Sequence, residues 1–200
     1  QRLSRGLGDV YKRQEKRVLD FFRQFHRRKW PAGQILVHAG DEPQGVYYIE
    51  AGEVRQYAID YRGEKIVVNL FKQGAFIPMV WALSDQPNEY FFETTQESIL
   101  LRAPKKDTLD FINNNHDVAL DLLKRTYSGL NGMLMRMVHL MSSSAYVRTL
   151  YELVIQSKRS NQSTETPIKL PINQYQIGNH SGLSRDTVSR EFKKLSLIHI

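Results

Sequence analysis

Apolar residues recur along this chain on two different periods, and the change from one to the other falls near Pro104. Before it, from about Phe25 to Arg102, short β-branched and aromatic runs predict strands at Gln34 to Val37, Val46 to Ile49, Val54 to Ile59, Ile66 to Leu70 and Ser98 to Leu101. Glycine-bearing turns at Gly33, Gly40, Gly52, Gly63 and Gly74 separate them, at the roughly ten-residue spacing expected of a small antiparallel barrel or jelly roll. After Pro104 the period becomes helical. Leu123, Tyr127, Leu130, Leu134, Met137 and Met141 advance by alternating steps of four and three, a heptad seam that favours pairing with the same helix of a second copy. The alternative is a helix packed on its own domain. Gly129 and Gly132 weaken this helix locally, each by about 1 kcal/mol relative to alanine.

Two further helical patterns lie between Ile172 and Leu195, joined by Ser181-Gly182-Leu183, where glycine allows a tight turn between steeply crossing helices. A polar stretch from Ser157 to Pro167 precedes them and reads as a surface loop. Ser184 suits the N-cap of the second helix, and Asp186 suits the positive end of its dipole. Val188, Phe192 and Leu195 form its inward stripe, which turns Arg185, Asp186, Ser189 and Arg190 outward. Such a helix meets base edges in the DNA major groove with its N-terminal half. Arg185 and Arg190 can each donate two hydrogen bonds to guanine, a contact worth about 1–3 kcal/mol against a wrong base. Asp186 can accept from cytosine, and Ser189 can reach a base or a phosphate. Ser184 and Thr187 complete the candidate DNA-contacting set. The bland alternative is a surface helix whose Asp186 and Arg190 form an exposed pair, worth about 0.3–0.5 kcal/mol.

The segment Gln176-Ile177-Gly178, followed by Ser181-Gly182-Leu183-Ser184-Arg185-Asp186-Thr187-Val188-Ser189-Arg190, resembles the helix-turn-helix of the Crp/Fnr family, the cyclic-AMP receptor and fumarate-nitrate regulators. The likeness runs from about Phe25 to Leu195. It implies an α+β chain: an N-terminal antiparallel β-roll of the cyclic-nucleotide-binding kind over 15–115, a dimerisation helix over 116–142, and a DNA-binding domain over 143–195. It also implies a homodimer that reads an inverted repeat, with RNA polymerase as a partner and Arg185, Asp186 and Arg190 at base-reading positions.

The family's reader continues into a β-hairpin wing, whereas here the chain enters residues of another kind. Asp9 to Gln14 can be written GATGTGTATAAGAGACAG, whose reverse complement reads as Leu195 to Ile200. This inverted repeat resembles a transposon-based sequencing adapter. Residues 1–14 and 196–200 are therefore expected to be non-native, and a winged helix lacking its wing is expected to bind operator DNA less well than a longer parent.

In the family, a glutamate holds the ribose and an arginine the phosphate of a cyclic nucleotide. Aligned without gaps, Gly74-Ala75-Phe76-Ile77 fits, but Pro78 replaces a glycine, Met79 stands at the glutamate and Glu89 at the arginine. A carboxylate repels phosphate, and proline removes an amide donor from the cradle. Cyclic AMP is not the expected ligand, and no other cofactor is identified. Phe76, Met79, Trp81, Tyr90, Phe91 and Phe92, with Glu89 beside them, form a candidate pocket for an unknown small-molecule effector, or else plain core.

Composition narrows the alternatives. The absence of cysteine excludes disulfides and thiolate chemistry, and the six histidines show no paired metal-ligand spacing. No apolar run of membrane-spanning length occurs, so a cytoplasmic protein without membrane partner is expected. Of the net charge of +7, residues 1–14 carry four bases against one acid, +3, leaving +4 for the remainder. That surplus is mild support for an anionic partner. The rival functions are a dimeric ligand-binding or interaction module that does not read DNA, and a cupin-like enzyme, for which His38 has no second histidine nearby. No catalytic residue and no metal ligand is identified.

Overall fold

The computed structural model describes residues 14–61, 63–159, 170 and 172–198. The chain divides into two compact units between Lys124 and Arg125.

The first unit holds a short helix α1 over 14–22 and eight strands, β1 (His26–Trp30), β2 (Ile35–Val37), β3 (Val46–Ala51), β4 (Glu53–Ile59), β5 (Lys65–Lys72), β6 (Phe76–Ile77), β7 (Phe91–Thr94) and β8 (Ser98–Ala103). Helix α2 (Met79–Ser84) interrupts the strands, and α3 (Lys105–Asn113) follows them. Two antiparallel sheets result, ordered β1-β8-β3-β6 and β2-β7-β4-β5, the double-sheet arrangement of a jelly roll. All five predicted strands are present; β1, β6 and β7 and helices α1 and α2 are additions.

The continuous apolar run in β3 has a structural cause: the strand is buried on both faces. Tyr47 and Ile49 pack in the roll with Val37, Val54, Ile77, Phe92 and Leu100. Val46 and Tyr48 face the other way, onto a cluster with Phe22, Phe76, Trp81, Leu101 and Val118. Rings consolidate that second cluster, with Phe22 stacked on Tyr48 at 5.2 Å and Phe21 on Phe111 at 4.1 Å. Gly52 makes the tight β3–β4 turn at φ 99°, and a Cβ there would lie 2.2 Å from Ser98 Oγ.

Helix α4 (His116–Ser142) begins in the first unit, because Val118 is buried and Leu122 packs against that cluster. The division between the two compact units thus falls inside this helix. The second unit comprises the rest of α4 with α5 (Ala145–Arg159), α6 (Gln174–Ser181) and α7 (Arg185–Ile198). Helix α5 absorbs the first three residues of the expected polar loop. Residues 160–167 of that loop, and the expected non-native residues 1–13, 199 and 200, lie outside the described residues.

Candidate nucleic-acid interface

Helix α6 starts at a capping box in which Asn173 Oδ1 accepts from the Gln176 amide and Gln176 Oε1 accepts from the Asn173 amide, each at 2.9 Å. It stops at Gly182, left-handed at φ 62°. The turn is drawn in by the Leu183 amide donating to Gly178 O at 2.9 Å. Only glycine fits at 178, since a Cβ would sit 2.7 Å from Leu183 O. Ser184 then caps α7, its Oγ accepting from the Thr187 amide at 3.2 Å, as its position predicts.

The turn is anchored from below by polar groups that local sequence patterns do not reveal. Glu152, on α5, is 2% exposed. It accepts from Arg136 at 2.8 Å, from Gln156 at 2.6 Å and from His180 Nδ1 at 2.9 Å, so the three donors come from α4, α5 and α6. Burial pushes the Glu152 carboxyl up, but the hydrogen bonds from His180 and Gln156 and the Arg136 charge outweigh it and hold the group below the ordinary glutamate range. Arg136 also donates to His180 O at 3.0 Å. Arg148 reaches Gly182 O at 2.7 Å and Leu140 O at 3.2 Å, tying the turn to α4 and α5. The one sequence signal for this anchor is the four-residue spacing of Glu152 and Gln156 on α5.

On α7, Val188 is fully buried and Phe192 and Leu195 are half-buried, as the inward stripe requires. Arg185, Asp186 and Arg190 are exposed together, and Ser189 is half-buried beside them. Asp186 and Arg190 do not pair; Arg190 donates to Thr187 Oγ1 at 3.3 Å. Ser184 and Thr187 are occupied with capping and with each other, their hydroxyl oxygens 2.9 Å apart.

Along α4 the heptad seam lies open, with Leu123 50%, Tyr127 63%, Leu130 47%, Leu134 51%, Met137 54% and Met141 83% exposed. A helix packed on its own domain would bury this stripe, so the single chain leaves a face of core composition uncovered.

The aromatic effector pocket is corrected by the fold. Phe76 and Trp81 are buried, and Met79 is packed, in the cluster on the outer face of the first sheet. Phe92 and Tyr90 belong to the cluster inside the roll. Phe91 stacks on Tyr57 at 5.1 Å, and Glu89 is exposed. The set is thereby divided between two cores. A cavity of about 500 Å³ does exist in this unit, but its walls include Arg28, Trp30, Val37, Tyr47, Leu100 and Arg102 and none of the predicted residues.

A double-sheet roll followed by a long helix and a capped helix-turn-helix defines a two-part protein, a sensor-type domain joined to a DNA-reading one. The model of the cyclic nucleotide-binding domain matches residues 27–115, and that of the Crp-like helix-turn-helix domain matches residues 147–197. The chain is 25% identical over 190 residues to the cAMP-activated global transcriptional regulator CRP of Haemophilus influenzae, covering 91% of this chain and 84% of that one. It is 26% identical over 190 residues to the fumarate and nitrate reduction regulatory protein of Yersinia pestis, covering 91% and 75%. In fold it is similar to the c-di-GMP responsive global regulator CLP of Xanthomonas campestris, with a TM-score of 0.74 at 19% identity over 91% of each chain. The chain belongs to the Crp/Fnr family of DNA-binding transcription regulators.

Among the described residues, no helix is long and apolar enough to cross a membrane.

Proposed function

We propose that this regulator works in the cytoplasm as a homodimer paired along α4, each copy setting α7 into one half of an inverted DNA repeat and acting on RNA polymerase without catalysis of its own. The observation that carries the reading is the joint exposure of Arg185, Asp186 and Arg190 at the start of a helix whose cap and turn are rigidly held. Arg185 and Arg190 read guanine edges, Asp186 reads a cytosine amine, and Ser189, Ser184 and Thr187 touch the flanking backbone or bases. The open seam from Leu123 to Met141 supports the dimer, because pairing would remove it from water.

The controlling effector is a small molecule other than a cyclic nucleotide. Pro78 offers no amide, Met79 is packed in the core, and Glu89 places a negative charge where a phosphate would need a cation. Selection from a pool of random duplexes by the full chain tests the DNA reading. An inverted repeat with half-sites about one helical turn apart is the expected product; recovery of unbiased sequence would refute it.

A further inference from the structure

We propose that the roll holds a small aromatic monocarboxylate in its cavity, with Arg28 and Arg102 as the anion-binding pair. At about 500 Å³ the cavity falls in the range of small-molecule sites, roughly 300–1,000 Å³. Its apolar wall is made by Trp30, Val37, Tyr47 and Leu100.

The charges come from strand register. β1 and β8 pair with Arg28 opposite Leu100 and His26 opposite Arg102, so Arg28 and Arg102 are diagonal neighbours that both line the cavity. Alternation sends Arg27 and Lys29 to the opposite face. There each finds a carboxylate, Arg27 with Glu50 at 2.6 Å and Lys29 with Glu97 at 2.9 Å. The two cavity-facing guanidiniums have none among the described residues. Arg28 lies over the Trp30 ring at 4.3 Å, and Arg102 donates to the neutral Gln44 side chain.

Two acids border the cavity, and they set the charge of the ligand. Asp41 and Glu42, the latter also accepting from Trp81 Nε1 at 3.0 Å, together offset the charge of the two arginines, so one carboxylate is accommodated where a dianion would leave excess negative charge. Tyr47 is 4% exposed, and its hydroxyl makes no hydrogen bond among the described residues, leaving it a donor for the same carboxylate. The guanidinium stacked on indole forms a flat wall, which suits a planar ring, and arginine suits bidentate contact with its carboxylate.

Calling this ligand the effector rests on the sensor reading above, whereas its binding does not. The test is a ¹⁹F NMR titration of the full chain labelled with 5-fluorotryptophan, whose two resonances belong to Trp30 and Trp81 and are assigned with Trp30→Phe. The probes are benzoate, phenylacetate and indole-3-acetate, each beside its primary amide, taken to about 10 mM, where even a Kd of ~1 mM saturates. At least one acid should move the Trp30 resonance saturably, with its amide about tenfold weaker or worse. Arg28→Gln and Arg102→Gln should each weaken the acid about tenfold, while Arg27→Gln should not. An unmoved Trp81 resonance in the variants shows the core intact. Silence of Trp30 towards all three acids, equal response to acid and amide, or unchanged binding in both cavity variants would overturn the proposal. Loss of DNA binding with this signal intact would count against the DNA reading alone.

Discussion

Replacing Glu152 with alanine removes the acceptor on which α4, α5 and α6 converge. The carboxylate is 2% exposed and takes hydrogen bonds from Arg136, Gln156 and His180, so its loss removes an acceptor from three side chains at once. Breaking a buried pair from one side costs about 3–5 kcal/mol. The low end applies here, because the Arg136 side chain is 22% exposed and keeps its bond to His180 O. A loss of about 3 kcal/mol is a large share of a small domain's 5–15 kcal/mol, and corresponds to a fall of about 12–24 °C in the melting of the second unit.

Glu152→Gln separates charge from shape: it keeps an acceptor for Arg136 but loses the negative charge that Arg136 faces, for about 1–3 kcal/mol. The pH dependence follows from the same contacts. Because the folded carboxyl titrates below its unfolded value, the stabilisation is complete above about pH 4.3 and is lost as pH falls through the folded value. That acid-side loss should be absent from the glutamine variant. Thermal melts and amide exchange in α6, run from neutral to acid pH, would read both effects. Equal stability of Glu152→Ala and the parent within about 0.5 kcal/mol, or an unchanged acid limb in Glu152→Gln, would refute the reasoning.

Two further outcomes follow from the same geometry. Gly178→Ala gains about 1 kcal/mol in helix propensity but drives a methyl to 2.7 Å from a backbone oxygen. Overpacking of about 1–3 kcal/mol should win and show as a lower melting temperature with weakened DNA binding. Leu134→Asp puts a charge in the open α4 seam, so sedimentation should find monomer at concentrations where the parent is dimeric, with the roll's near-ultraviolet spectrum unchanged.

What could be read in the sequence followed local physics. The glycine-punctuated apolar strands, the heptad seam and the capped α7 each declare themselves within a few residues. Strand β1 did not, because His-Arg-Arg-Lys-Trp has four exposed positions and is a strand by virtue of its ladder with β8. β7 hid among aromatics that looked like a pocket, and its Glu93, 4% exposed, is tolerated only through Lys65 and Arg55 from neighbouring strands. The anchor under the turn joins residues 16 and 28 positions apart, beyond any local period. The cavity escaped for the same reason: Arg28 is exposed and Arg102 half-buried, and only the register of β1 and β8 places both at one cavity.

Reading of DNA by the side chains of α7 is put to the test by the Arg190→Ala variant. With the selected duplex and a copy mutated at the guanine proposed to meet Arg190, anisotropy titrations at about 50 mM salt keep the weaker complexes measurable. The chain should prefer the selected duplex by about 1–3 kcal/mol per half-site, and Arg190→Ala should bind the two duplexes alike while keeping the parent's melting temperature. Full discrimination by a folded Arg190→Ala, matched by full discrimination in Arg185→Ala, would show that these side chains do not read the DNA.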